Sequence, residues 1–314
     1  MTLEPLARAA RLRPGSRVVV VAPSGPVPPE RMERGLELLR GWGLDAVAAP
    51  HALDTHPELD HLAGTDEHRA QDLQEAWCDP SVDAVLCARG GYGAHRMVDL
   101  LDWSALRAAG PKVFVGYSDI TVLHEAFALR AGFSTLHGPM TATEVFLKDE
   151  ATRQAMRSTL FEPESVLSLG LGTAAALVPG TARGITYGGC VSLLAADAGT
   201  PGARTSARGG LLVIEDTGED PYRLDGILTR LLRIGALDGI SGVVCGSWEG
   251  CGPYGKVRSV LADRLGGLGV PVAEELGFGH GPTALTVPLG VPAVLNAPAD
   301  GGRCTLTVQT PALL

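Results

Sequence analysis

The chain has 314 residues, 45% of them hydrophobic and 19% charged, enough for one large domain or two ordinary ones with a core each. Its formal net charge is -9 and its basic residues are scattered, so the footprint that holds nucleic acid phosphates is missing and no nucleic acid partner is expected. The opening MTLEPLARAARLRPGSRVVVVAPSG has no apolar core of signal-peptide type, and VVVVA is far too short to span a bilayer, which predicts a cytoplasmic protein without a membrane partner.

SRVVVVAPSG reads as a first strand ending in a turn, and PPERMERGLELLRGWG as a helix with proline at its start and glycine at its end. LDAVAAP is a second strand and DEHRAQDLQEAWCDP a polar-faced helix. DAVLCARGGYG is a strand running into a glycine-rich loop, MVDLLDWSALRAAG a further helix, and KVFVGYSD a strand before the next helix. Apolar strands separated by helices imply a parallel sheet covered on both faces, with functional loops at the C-terminal strand ends. APSGPV, ARGGYGAH and GYSD all fall there.

Short glycine-broken pieces then predict a linker over residues 165–187, between an N-terminal Rossmann-like domain, 1–164, and a C-terminal mixed α/β domain, 188–314. The second domain reads as strands at GLLVIED and ISGVVCG, helices at RLDGILTRLLRIG and VRSVLADRLGGLG, and a strand pair near ALTVPLG and CTLTVQT. The six cysteines, Cys78, Cys87, Cys190, Cys245, Cys251 and Cys304, have neither the density of a disulfide scaffold nor a C-x-x-C pair. Reduced, mostly buried thiols are expected.

In VFVGYSDITVLHEAF a serine stands at the corner between a buried strand and a helix. Such a turn projects the Ser118 hydroxyl and aims nearby N–H groups, that of Asp119 among them, at developing negative charge, as in a nucleophile elbow. Ile120 stands where a G-x-S-x-G motif has glycine, and Ser118 or Asp119 serves equally well as a helix N-cap. A serine nucleophile needs a base, usually a histidine oriented by a carboxylate. His51, His56, His61 and His68 lie in a polar region and read as solvated. His124 is on the serine's own helix, too far along to turn back, and His137 stands at a strand end in STLHGPM. His280, in the glycine-rich loop GFGHGPT, has the best setting for a base, though a lone loop histidine can also be merely exposed. In GLLVIEDTGED, Glu215 and Asp216 follow a buried strand, and alternation points only one of them toward a given face. They are either the orienting acid or solvated strand-end groups.

The order RGGYG, GYSD, LLVIED with PYRLD, GFGHG and TVPLG resembles the bacterial LD-carboxypeptidase family of serine peptidases, which also contains the microcin C self-immunity proteins. The resemblance spans nearly the whole chain, from VVAPSGP to TVPLG. It implies Ser118 as nucleophile, His280 as general base, Glu215 as the acid orienting it, and the N–H groups of Gly91 and Asp119 as oxyanion hole. It also implies an N-terminal Rossmann-like domain carrying the nucleophile, a C-terminal α/β domain carrying acid and base, and a homodimer. The implied reaction releases C-terminal D-alanine from murein tetrapeptides during cell wall recycling, with a small peptide as partner and no metal or cofactor. Two alternatives are an immunity-type hydrolase of aminoacyl-nucleotides and a non-catalytic muropeptide-binding protein.

Arg89 could hold the substrate carboxylate bidentately, or pair with Asp83 or Asp119. The loop GSWEGCGPYG, with Trp248, Glu249 and Tyr254, either shapes the specificity pocket or packs its tryptophan at an interface. Rival motifs fail. RGGYGAH is not G-x-G-x-x-G, no G-x-x-x-x-G-K-[ST] occurs, no histidine pair has zinc-protease spacing, and the cysteine of a glutamine amidotransferase is absent from position 118.

Overall fold

The computed structural model describes residues 2–314 and contains two sheets. Strands β1 (Arg17–Val21), β2 (Asp45–Ala48), β3 (Ala84–Cys87), β4 (Val113–Gly116) and β5 (Thr135–His137) lie in the order 2-1-3-4-5, every pair parallel. β3 and β4 are buried along their whole length, as strands covered by helices on both faces must be. The strand order reverses between β1 and β3, and loops leaving such a switch point form a natural crevice. There the Gly25 N–H donates to the Gly90 carbonyl at 3.1 Å, joining the loops after β1 and β3.

The second sheet takes β6 (Ser168–Leu169), β7 (Ala175–Val178), β8 (Gly180–Cys190), β9 (Gly210–Thr217), β10 (Gly242–Glu249) and β11 (Val272–Glu274). β12 (Val287–Leu289), β13 (Pro292–Ala297) and β14 (Thr305–Val308) complete the strands. Its order is β6-β14-β13-β8-β9-β10-β11-β7, with β8 to β11 parallel and the flanking strands antiparallel. The fold class is therefore mixed α/β, with a nearly all-parallel sheet followed by a mixed one.

Four expectations are corrected. Residues 165–187 are not a linker, since β6, β7 and most of β8 are strands of the second sheet. TVPLG and TLTV do not pair. β12 crosses to the first sheet, antiparallel to β5, whereas β14 pairs with β13. The C-terminal half is also not self-contained, because Ala312 and Leu313 pack in the core around the first sheet and the Leu314 N–H donates to the Ala9 carbonyl. The helix expected over MVDLLDWSALRAAG is broken before Trp103, where the Asp102 carboxylate caps a new helix, Trp103–Ala109, by accepting from Ser104 and Ala105.

All six cysteines are free thiols, Cys78 exposed and the other five buried. Among the described residues no helix is long and apolar enough to cross a membrane.

Candidate active site

Ser118 follows β4 by two residues, opening a short 3-10 turn that leads into the helix Thr121–Ala126. Its φ is +63°, one of only two positive values at non-glycine residues among those described. A serine forced into this region marks a strained corner of the kind that clusters at functional sites. It offers no side-chain cap to the turn. Beside it runs the glycine-rich loop. A Cβ at Gly90 would meet the Ser118 Oγ at 3.1 Å, so only glycine lets the backbone come this close. Gly91 follows with φ +114° and is exposed.

The Asp119 side chain neither caps its own helix nor pairs with Arg89, the two roles the sequence suggests for it. The carboxylate is 1% exposed, and its Oδ2 accepts the Ser24 hydroxyl at 2.6 Å and the Ala94 N–H at 2.8 Å. One buried oxygen thus ties together the loops after β1, β3 and β4. Burial pushes the Asp119 carboxyl up, against the two hydrogen bonds and the nearby His95 and Arg69.

Glu215 lies in β9, paired in register with Cys190 of β8, and is fully buried. An ionised carboxylate only accepts, so the 2.6 Å contact is His280 Nδ1–H donating to Glu215 Oε2. That leaves Nε2 of a neutral His280 free to take a proton. Burial alone would raise the Glu215 carboxyl, but the charge and hydrogen bond of His280, with His137, outweigh it and hold it at about 2. Burial lowers the His280 imidazolium, and the Glu215 carboxylate more than compensates, so its pKa lies above the usual value. The approach needs a glycine beside the histidine: a Cβ at Gly279 would stand 2.8 Å from both Glu215 Oε2 and Ser247 Oγ. The His280 ring packs 4.6 Å from that of Tyr117, the residue immediately before Ser118. Serine elbow, imidazole and acid therefore come from both sheets to one place.

Asp216, pointing to the other face, accepts from the N–H groups of Ser192 and Thr217 and takes no part in this contact. His124 is sealed between the Gly116 carbonyl and the Thr135 hydroxyl, both at 2.9 Å, and burial holds its pKa near 3. His137 is the residue sequence reading passed over. It is buried, with Nε2 3.6 Å from Glu215 Oε1. The available signal was its strand-end position, but its partner lies on the other sheet.

Arg89 is half-buried and donates from Nη1 to the Pro26 carbonyl at 3.0 Å, rather than pairing with Asp83 or Asp119. Trp248 does not border the site. β10 runs on through Glu249, and Trp248 is 7% exposed in the apolar core against one face of the second sheet. Its neighbour Glu249 borders a groove of about 460 Å³ beside His280, opposite Glu144, Lys148 and Asp149.

Of the polar-region histidines His61 is exposed as expected, whereas His51 and His68 are partly buried. The His51 and His68 rings stack at 3.9 Å, and their Nδ1 atoms lie 2.9 and 3.1 Å from Asp54 Oδ2. These three alone, among the described residues, gather closely enough to hold a metal ion, with both ring nitrogens turned to the one Asp54 oxygen.

A serine on a strained elbow, next in sequence to a tyrosine whose ring packs on a carboxylate-bound imidazole, is a layout suited to hydrolysis. The N-terminal domain of LD-carboxypeptidases matches residues 18–138 and their C-terminal domain residues 183–295, and the chain belongs to this family of carboxypeptidases. It is 64% identical to a Streptomyces coelicolor protein named as a carboxypeptidase without a stated substrate, over 98% of both chains. It is 33% identical to the murein tetrapeptide carboxypeptidase of Pseudomonas aeruginosa, over 89% of this chain and 93% of that one. The crystal structure of the muramoyltetrapeptide carboxypeptidase of Oxalobacter formigenes superposes with a TM-score of 0.80 at 27% identity, covering 94% of this chain and 99% of that one.

Proposed function

We propose that this protein is a serine carboxypeptidase that hydrolyses the L,D-peptide bond to a C-terminal D-alanine in murein tetrapeptides, acting in the cytoplasm on recycled cell wall fragments. The observation that carries this reading is the 2.6 Å bond from His280 to the buried Glu215, with the same imidazole packed against Tyr117 at the Ser118 elbow.

In this mechanism Ser118 Oγ attacks the peptide carbonyl while His280 Nε2 accepts its proton. Glu215 fixes the tautomer through Nδ1 and stabilises the imidazolium. The N–H groups of Gly91 and Asp119 receive the oxyanion. His280 then protonates the departing D-alanine amine, and a water molecule activated by the same imidazole releases the acyl group. The half-buried Arg89 guanidinium beside the glycine-rich loop binds the terminal carboxylate.

The test is mass spectrometry of wild type and Ser118→Ala incubated with murein tetrapeptide and, separately, with a processed aminoacyl-nucleotide antibiotic. Loss of one D-alanine by the wild type alone supports the proposal. Cleavage of the nucleotide substrate alone moves the chain to the immunity branch, and turnover of neither removes the catalytic reading.

A further inference from the structure

Glu215 has two oxygens, and only one of them serves His280. Oε1 is buried without a hydrogen-bond partner, and so are both ring nitrogens of His137, which is fully buried. The nearest approach between these orphaned atoms is the 3.6 Å from His137 Nε2 to Glu215 Oε1. That is too long for a hydrogen bond, yet buried polar groups are rarely left unpaired, and hydrogen bonds at such sites tighten when substrate binds. His137 is in register with Gly116 of β4, two residues before Ser118, and with Val287 of β12 on its other side. Its backbone thus belongs to the serine's sheet, whereas Glu215 belongs to the other.

We propose that His137 is a positioning residue: it donates Nε2–H to Glu215 Oε1 and fixes the acid of the second sheet to the sheet that carries Ser118. The inference rests on the triad reading above. Besides the buried Cys190 thiol, in register with Glu215 and pushed up by burial, and Asp216, next along β9, three titratable groups surround the contact. The Tyr117 and His124 rings lie 6.0 and 6.3 Å from His137, and His280 shares Glu215 with it. Burial pushes Tyr117 up and His124 down, away from neutral pH, whereas Glu215 raises His280 above its ordinary value. Phe278, 5.6 Å away edge-on, closes the remaining side.

Without the His137 donor the buried carboxylate depends more heavily on its remaining cationic partner, and His280 holds its proton to higher pH. The experiment compares His137→Phe and His137→Gln with wild type, by the pH profile of kcat/KM on the tetrapeptide and by NMR titration of His280. In His137→Phe, kcat/KM at neutral pH is expected to fall on the order of tenfold, with the acid limb and the His280 titration both moved to higher pH. His137→Gln, whose amide can donate to Oε1, is expected to restore both. An unmoved His280 titration in His137→Phe overturns the proposal, as does an equal, pH-independent loss in both variants. The NMR titration needs no substrate, so a wild type inactive on tetrapeptide would defeat the substrate assignment while leaving this contact still measurable.

Discussion

Gly90 packs so closely on Ser118 that a Cβ added to it would stand 2.9 Å from the Ser118 Cβ, with Met140 Cε only 3.4 Å away on another side. Backbone must therefore move to admit even a methyl group. Gly90→Ala is expected to lower kcat/KM on the order of a hundredfold, because the loop that carries Gly91 retreats from the reacting atoms. Thermal melting should show that the fold survives. A variant turning over tetrapeptide at the wild-type rate would show that this close approach serves packing alone.

The Glu215–His280 pair has opposite pH consequences for its two members. The Glu215 carboxyl is depressed from 4.5 to about 2, so its contribution to stability is present above the ordinary value and is lost as pH falls toward 2. His280 is raised above 6.5, so its contribution is complete below that value and is lost as pH rises through the folded one. The pair therefore stabilises most between about 4.5 and 6.5, while a general base needs pH above the His280 value. Glu215→Gln removes the anion and leaves burial to lower the imidazolium. Its acid limb in kcat/KM should move to lower pH while the plateau falls, and its deficit in melting temperature should shrink from pH 6 to pH 3. An acid limb unchanged by the substitution would break the assignment of that limb to His280.

Much of this was legible in the sequence wherever a signal is local. The runs VVVV, VFVG and LLVI each define a buried strand, and the residues just beyond them are Ser24 with its loop, Ser118 and Glu215. The corner at Ser118 was readable from the change of period between Gly116 and Ile120. Where pairing is long-range the reading failed. β12 has three residues, and nothing in VPL says that it joins β5 about 150 positions earlier rather than β14 nearby. Residues 180–187, most of β8, read as linker because their glycines break the apolar run, and the first half of that strand is partly exposed. Trp248 was placed in a loop because the strand was ended too early, at Gly246. His137 went unassigned because its partner is contributed by the other sheet.

Arg89 spends one nitrogen on the Pro26 carbonyl and pairs with neither Asp83 nor Asp119, whose carboxylates are bonded to the Arg17 N–H and to Ser24 and Ala94. Its other donors suit a substrate carboxylate. Arg89→Met is expected to raise KM for the tetrapeptide about tenfold to a hundredfold, the worth of a charged hydrogen-bonded pair, with a smaller effect on kcat. Wild type should also discriminate against a tetrapeptide ending in an amide, and the variant should not. Equal discrimination by both proteins would assign carboxylate recognition elsewhere.

Asp119 separates the effect of a charge from that of an anchor. Both of its hydrogen bonds go to Oδ2, and Oδ1 has none. Asp119→Asn can therefore keep both bonds on its amide oxygen while removing a buried charge that burial makes unfavourable. Asp119→Ala loses both bonds and leaves the Ser24 hydroxyl and Ala94 N–H unpaired, at a cost of about 2–4 kcal/mol. Because the Asp119 pKa is raised in the folded state, ionisation weakens the wild type as pH climbs above the ordinary carboxylate range. Asparagine has no such dependence. Urea denaturation should thus rank alanine well below wild type, and the asparagine variant should gain on wild type between pH 4 and pH 7. If the asparagine variant instead loses as much as alanine, the charge itself holds the three loops together, and the single-oxygen anchor is the wrong account of how the Ser118 corner is built.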